Sequence, residues 1–238
     1  MKIRLLPEID LARIAVMSAD QARVALKQMK SGWAPYSYSP TRQMLLDILN
    51  VEPGELGQAS RTEWAVIERR IVRLSKSEDE KRANLAAAKA LYSYSVDNDM
   101  HGRQYDFFPL ALGMSAKVSY WSRAVLSLND NPLVVFIDPR RTKGLTARGR
   151  QFVFSAMHER VRASDSDFAE VRLGIFQFIN NEDGSRTSRL FADDGIPLFS
   201  FDEIGEMVRR TYEMWFEVLD EREAEVRRKG TGTRGPLI

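Results

Sequence analysis

The stretch Leu133-Val134-Val135-Phe136-Ile137-Asp138 decides the fold class of this chain of 238 residues. Five consecutive large apolar residues followed by an acid have the length and composition of a buried β-strand. The stretch comes directly after the turn residues Asn129-Asp130-Asn131 and Pro132, and the segment Lys117–Leu128 before the turn is rich in β-branched and aromatic residues. Two such runs around a short polar turn predict a β-hairpin.

The chain after this hairpin alternates between helical and strand patterns. Thr146–Arg162 carries Val and Met side chains along one helical stripe, whereas Arg172–Ile179 and Arg186–Phe191 have strand composition. A Ser-x-x-Glu capping box, in which side chains satisfy the free amides of a helix start, predicts a last long helix over Ser200–Arg228. The order hairpin, helix, strand, strand, helix indicates a sheet flanked by helices.

The chain before the hairpin is predicted to be mainly helical. Three pairs of residues have the spacing of a capping box, namely Ser18 with Gln21, Ser60 with Glu63, and Ser77 with Glu80. Pro40 fits the first turn of a further helix, where its missing amide hydrogen costs nothing. The segment around Asp97–Gly102 and Pro109 has turn chemistry and is predicted to be an irregular connection.

These patterns predict an α/β (α+β) fold, in which a helical N-terminal region packs on a small mixed sheet with flanking helices. We place the N-terminal region at residues 1–79 and the α/β domain at residues 80–228. Residues 229–238 are rich in glycine and threonine, and we predict a disordered tail there because such a segment cannot bury apolar surface.

Composition narrows the classes of protein to which the chain can belong. It has no cysteine and two histidines, which excludes disulfides, thiolate zinc sites and histidine-rich metal centres. We predict neither a metal nor a cofactor. The first residues are charged and no apolar run reaches the length of a membrane span, so the sequence predicts a cytoplasmic protein without membrane contact.

Positive charge is concentrated in one part of the chain, although the formal net charge is only +2. Between Pro139 and Arg162 the single acid is Glu159. The candidate nucleic-acid contacts in this stretch are Arg140, Arg141, Lys143, Arg148 and Arg150. The stretch has no evident arrangement for contacting base edges, so we predict at most weak, nonspecific and salt-sensitive DNA binding.

The order of elements over Glu80–Ile179 resembles the core of the PD-(D/E)XK nuclease superfamily. That resemblance implies that Asp138 occupies the position of a metal-binding acid, but Arg140 stands where the family has a lysine. Arginine stays protonated near neutral pH and cannot act as a base, and the preceding strand offers no second acid. The open alternatives are a metal-dependent nuclease that uses Asp138 and Arg140, a degenerate DNA-binding relative, and an Asp138-Pro139 pair that only ends a strand.

The peptide Gln104-Tyr105-Asp106-Phe107-Phe108 resembles the short motif by which bacterial proteins dock into the β sliding clamp of DNA polymerase III. In such a motif two adjacent apolar residues fill a hydrophobic pocket, while a glutamine amide sets the direction. The alternative is that Phe107 and Phe108 belong to the core. Two further segments share part of the pattern: Gln43–Ile48, which fits a buried helix face, and Ile196-Pro197-Leu198-Phe199, which lacks the glutamine.

A wider set of segments resembles the SocB-type toxins of type VI toxin–antitoxin systems. These segments are Phe136–Arg141, Gly149–His158, Arg172–Phe178 and Thr211–Trp215. The resemblance implies a non-enzymatic inhibitor of DNA replication that binds the sliding clamp and is delivered to a protease by a cognate antitoxin. It does not decide which of the three peptides docks. The nuclease, and an interaction subunit without toxicity, remain the alternatives.

Overall fold

The computed structural model describes residues 5–29, 37–52, 60–112, 116–118 and 123–230. The N-terminal part contains the helices α1 (Glu8–Ala15), α2 (Ala19–Gln28), α3 (Ser39–Gln43), α4 (Leu45–Ile48), α5 (Trp64–Leu74) and α6 (Glu78–Asp97), with the short strand β1 (Val51–Glu52) after α4. Ser18 and Ser77 cap α2 and α6 as predicted. The box predicted at Ser60 was wrong, because α5 begins at Trp64 after Glu63 and has no side-chain cap.

The second part contains most of the strands. They are β2 (His101–Gln104), β3 (Leu110–Leu112), β4 (Ala116–Val118), β5 (Ala124–Leu128), β6 (Asn131–Ile137), β7 (Arg172–Asn180) and β8 (Arg186–Ala192). Helix α7 (Ala147–Met157) runs into a π-helical turn over His158–Arg162, and α8 (Phe201–Gly230) ends the described chain. Residues 231–238 of the predicted tail lie outside the described residues.

A mixed six-stranded sheet in the order β1-β2-β5-β6-β7-β8 forms the centre of the molecule. The predicted hairpin is present as β5 and β6, with Asn129 and Asp130 in the turn at positive φ. Its first strand is shorter than predicted, because Lys117 and Val118 belong to β4 and pair with β3 in a separate two-stranded sheet. The mixed α/β class is therefore confirmed, whereas nothing beyond the mixed sheet and its helices supports the PD-(D/E)XK assignment.

Alternating residues of β6 face two separate cores, as the period of a strand requires. Val134 and Phe136 pack with α1, α2, α7 and α8, while Leu133, Val135 and Ile137 pack with α4, α5 and α6. The strand is buried on both faces, which explains its continuous apolar sequence. Helices from the first 79 residues contribute to both cores, and β1 pairs with β2. In the part of the chain that the structure describes, no helix is long and apolar enough to cross a bilayer.

Candidate functional site

The candidate docking peptide connects β2 to β3 at the margin of the main sheet. Gln104 is the last residue of β2, a strand that lies in the segment predicted to be irregular, and its side chain is exposed. The Tyr105 amide donates to the Arg123 carbonyl at 2.9 Å and so continues the β2–β5 ladder by one bond. The five residues after Gln104 form a loop that begins at a fixed point on the sheet.

The two phenylalanines of the peptide have different environments. Phe107 is half-buried, and its ring centroid lies 4.6 Å from that of Tyr105 and 5.2 Å from that of Phe168. Phe108 is 89% exposed, the largest fraction among the exposed large apolar residues of the described chain. Of the two predicted anchors, one therefore packs on the protein while the other projects into solvent. This exposure leaves the Phe108 side chain accessible to a partner.

Arg160, in the π-helical turn after α7, anchors the loop to the protein interior. Its side chain is almost completely buried. Its Nε donates to the Phe108 carbonyl at 2.8 Å, and its Nη2 donates to the Phe107 carbonyl at 2.9 Å. The guanidinium carbon also lies 5.5 Å from the Phe107 ring centroid. A planar donor fork that holds two successive carbonyl groups fixes the direction in which Phe108 projects.

Tyr105 gives the loop a second attachment. Its hydroxyl donates to the Asp165 carboxylate at 3.2 Å, and its ring centroid lies 4.7 Å from that of Phe168. Desolvation, and then the Asp165 carboxylate, raise the pKa of the Tyr105 hydroxyl above its usual value. The hydroxyl therefore stays protonated near neutral pH and remains a donor. Neither Arg160 nor Phe168 stood out in the sequence as part of the site, because both are more than fifty residues away from the peptide.

The two other peptides that share part of the motif, Gln43–Ile48 and Ile196–Phe199, are less accessible to a partner than Gln104–Phe108. Met44, Leu45 and Ile48 are buried in the core beside α6, as a helix face would be. In the other segment the Phe199 amide donates to Ser155 Oγ at 2.9 Å, and Ile196, Leu198 and Phe199 pack against the core. Neither segment presents a large side chain that is free of core packing.

The contacts of Asp138 are those of a residue that holds a loop in place, and they differ from those of a metal ligand. Its carboxylate is 1% exposed and accepts from the Leu145 amide at 2.7 Å, from Gln177 Nε2 at 2.9 Å and from the Arg140 amide at 3.4 Å. These bonds close the loop after β6. In the described residues, no three histidine, aspartate or glutamate side chains converge on a position where an ion could sit.

The Arg140 side chain pairs with Asp10 of α1, while its backbone amide donates to Asp138. Its two terminal nitrogens donate to the two carboxylate oxygens at 2.7 and 2.6 Å. Burial works to raise the pKa of Asp10, but the Arg140 hydrogen bond and charge lower it below its ordinary value of 3.8. The two residues that the nuclease hypothesis needs in one site are thus used in two different structural contacts.

The basic stretch divides into paired and unpaired cations. Arg140 is neutralised by Asp10, and Arg162 is neutralised by Asp193 at 2.6 Å. Three of the candidate nucleic-acid residues, Arg141, Lys143 and Arg148, are exposed. Arg150 is half-buried and donates to Gln177 Oε1 at 2.9 Å. The number of cations in the stretch therefore overstates the positive charge that a ligand can contact.

The chain is similar over most of its length to a family of clamp-binding proteins. Residues 9–225 match the model of a family described as "Sliding clamp-binding bacterial toxin SocB". The chain is 38% identical, over 232 residues, to the DNA replication inhibitor toxin SocB of Caulobacter vibrioides (strain NA1000 / CB15N). That match covers 98% of this chain and 97% of the relative. No solved structure matches the chain.

Proposed function

Because the chain belongs to the SocB family of sliding clamp-binding bacterial toxins, we propose that it inhibits DNA replication by occupying the peptide pocket of the β sliding clamp of DNA polymerase III. The proposed action is binding, without catalysis. The clamp's peptide pocket is shared by polymerase and other clamp partners, so an occupant displaces them by mass action. Such a target places the proposed action in the bacterial cytoplasm. As in the family resemblance, we expect a cognate antitoxin that delivers the chain to a protease.

The observation that carries the proposed docking site is the exposed Phe108 in the Gln104–Phe108 loop. Phe108 supplies a large apolar side chain, and Gln104 supplies an exposed amide at the end of β2. Phe107 can become a second anchor only if it leaves its contacts with Tyr105 and Phe168. In the described conformation the loop therefore offers one apolar anchor, Phe108. The Gln104 amide would set the orientation of the bound peptide.

The first test measures clamp affinity by calorimetry for the wild type and for Phe108→Ala. Burying one phenylalanine contributes on the order of 1.5–3 kcal/mol, and each ~1.4 kcal/mol is a factor of ten. We therefore expect Phe108→Ala to weaken binding by about ten- to a hundredfold, and Gln104→Ala to weaken it less. Replication assays with purified clamp and polymerase should show inhibition by the wild type, which added clamp relieves, and little inhibition by Phe108→Ala.

Phe201→Ala is the matched control, because Phe201 is also an exposed phenylalanine, 46% accessible, and lies at the start of α8, outside the loop sequence. It should bind the clamp as the wild type does. Equal affinity of the wild type, Phe108→Ala and Gln104→Ala would show that this loop is not the docking site. Absence of any clamp binding by the wild type would contradict the proposed function itself.

A nuclease is the weaker candidate. The Asp138 carboxylate already accepts three hydrogen bonds, and Arg140 is held by Asp10. Metal binding would require several of these bonds to break. We therefore retain no catalytic residue in the proposal.

A further inference from the structure

Two arginines from different elements lie over one aromatic ring at the edge of the main sheet formed by β8. The guanidinium carbon of Arg150, on α7, is 4.0 Å from the ring centroid of Phe191 on β8, and that of Arg189, on β8, is 4.8 Å from the same centroid. Phe191 is half-buried, whereas Arg189 is exposed. An arginine stacked on a ring keeps its N–H groups available at the edge of the guanidinium plane.

Neutral groups hold Arg150 in place. Arg150 Nη1 donates to Gln177 Oε1 at 2.9 Å, and Gln177 Nε2 donates to Asp138 Oδ2 at 2.9 Å. Gln177 pairs with Arg189 across the β7–β8 ladder. The amide thus separates Arg150 from the Asp138 carboxylate. The guanidinium is oriented by its surroundings without being neutralised by them.

The two arginines leave positive charge uncompensated at this edge. Among the described residues, neither Arg150 nor Arg189 forms an ion pair with a carboxylate, in contrast to Arg140, Arg162 and Arg209. Desolvation, and then the charge of Arg189, lower the pKa of Arg150 below its usual value. Two like charges that share one ring repel each other, and a bound anion would relieve that repulsion.

Further cations extend the positive surface along the loop after β6. A Cβ placed on Gly144 would lie 3.3 Å from Gln177 Nε2, so the loop that carries the exposed Lys143 passes beside the glutamine that holds Arg150. The Arg141 carbonyl accepts from Asn180 Nδ2 at 3.2 Å, which places Arg141 at the end of β7. We define the Phe191 basic surface as Arg141, Lys143, Arg150, Arg189 and Phe191.

We propose that the Phe191 basic surface binds the phosphate backbone of DNA. A guanidinium matches the two oxygens of a phosphate in a bidentate geometry. Several separate cations along one edge suit a ligand that carries negative charges at regular intervals. Phe191 is already covered by arginine, so the surface contacts phosphates and not bases, and the binding is nonspecific in sequence. This activity is additional to clamp binding and does not depend on the docking loop.

The test is fluorescence anisotropy of a labelled random-sequence duplex against the full chain over a range of salt concentrations. The Arg150→Gln/Arg189→Gln double variant should bind at least about tenfold more weakly at low salt. Its plot of log affinity against log salt should be shallower by about 1.8, since each lost phosphate contact removes about 0.9 from the slope. Arg189→Gln alone, at an exposed position, should show about half of this change in slope.

The matched control is Arg82→Gln/Arg209→Gln, which removes the same net charge from two exposed arginines that are paired with acids. It should bind the duplex within about threefold of the wild type, since rim charges that are already paired contribute little. Equal losses in the two double variants, or no duplex binding by the folded wild type at low salt, would overturn the proposal. If polyglutamate binds with the same dependence on Arg150 and Arg189 while the duplex does not bind, the site is for an acidic polypeptide and the DNA assignment is wrong.

Discussion

Single residues in the proposed docking loop act through contacts that are distant in sequence. Phe108 is exposed because Arg160 holds its carbonyl from inside the protein while Phe107 packs on Phe168. A flexible peptide with the same sequence would have to order itself on binding, at a cost of conformational entropy. Arg160 fixes the loop before the partner arrives, so we regard it as a positioning residue and not as part of the contact surface.

Replacement of Arg160 by lysine should lower clamp affinity while the net charge is kept. A lysine ammonium is a compact charge and cannot donate in a planar fork to the Phe107 and Phe108 carbonyls. Loss of one such charge-assisted hydrogen bond contributes about 1.5 kcal/mol, or roughly a tenfold weaker affinity. Calorimetry on Arg160→Lys measures this, with Arg172→Lys, an exposed arginine paired with Asp194, as the control.

A double-mutant cycle separates positioning from a general loss of stability. If Arg160 acts by orienting Phe108, Arg160→Lys should weaken binding much less in the Phe108→Ala background than in the wild type. Additive losses of affinity in the double variant would show that Arg160 contributes only to the fold.

The ion pair of Asp10 with Arg140 should make stability depend on pH in the acid range. The pKa of Asp10 is lowered in the folded state, from an ordinary value of 3.8. The contribution of the pair is therefore complete above that value and is lost as pH falls through the lower folded pKa. Asp10→Asn should reduce the free energy of unfolding near neutral pH by roughly 3 kcal/mol, because it leaves the largely buried Arg140 side chain without its carboxylate partner.

Urea denaturation of wild type and Asp10→Asn at several pH values tests this dependence. The difference in unfolding free energy between the two proteins should shrink as the solution is acidified below about pH 4. Asp194→Asn removes a largely exposed partner of Arg172 and should change stability little. A difference between wild type and Asp10→Asn that is independent of pH would contradict the assignment.

At the level of elements, strand β2 determines where the proposed docking loop begins. Gly102 pairs with Leu126 of β5, and a Cβ on Gly102 would lie 2.5 Å from the Val125 carbonyl oxygen and 2.8 Å from Leu126 Cδ2. The contact with backbone cannot be relieved by a change of rotamer. A side chain at this position must therefore displace β2 from β5 and move the loop that follows it.

Gly102→Ala should destabilise the protein by about 1–3 kcal/mol, as overpacking of a buried site commonly does, and should also weaken clamp binding. The control is Gly205→Ala in α8, where a Cβ meets nothing within 4 Å and should stabilise the helix by up to about 1 kcal/mol. Thermal unfolding and clamp calorimetry are measured on both variants. Unchanged melting and affinity in Gly102→Ala would show that β2 tolerates the displacement.

The elements that could be predicted from sequence are those with a strong local pattern. The β5–β6 hairpin and the strands β7 and β8 have apolar runs bounded by turn residues, and Ser200 and Glu203 form the full capping box of α8. Strand β2 could not be predicted, because its sequence His-Gly-Arg-Gln has no apolar alternation and its pairing is supplied by β1 and β5. The short helix α1 lies in the region predicted to be helical, but its bounds could not be predicted because it has no side-chain cap.

The proposed docking peptide illustrates how much of a candidate site a sequence pattern can define. The motif at Gln104–Phe108 is visible as a pattern, but the pattern treats its two phenylalanines as equivalent. Phe168, Asp165 and Arg160 make them different through contacts across more than fifty residues. The charge that the basic stretch offers to a ligand also cannot be predicted from sequence. Arg140 and Arg150 look equivalent in the sequence, but the fold pairs Arg140 with an acid and Arg150 with a neutral glutamine.

At the scale of the whole molecule, the docking loop and the Phe191 basic surface belong to different parts of the sheet. Strand β2 carries the loop and β8 carries Arg189, and three strands lie between them. At about 4.8 Å per strand, the two are separated by roughly 20 Å across the sheet. Substitutions in one site should therefore leave the affinity at the other unchanged within experimental error, which allows clamp and DNA binding to be measured independently on the same variants.

The purified protein as a whole should not cleave DNA in the presence of Mg²⁺ or Mn²⁺. A divalent ion needs more than one oxygen ligand from the protein. The buried Asp138 carboxylate instead closes the loop after β6 through the Leu145 amide and Gln177. Asp138→Asn should consequently lower stability, because an amide cannot accept all of these bonds, and should leave clamp binding by the protein that remains folded unchanged. Plasmid nicking is measured beside thermal unfolding for both proteins. Metal-dependent nicking that disappears in folded Asp138→Asn would establish catalysis and replace a purely binding mechanism.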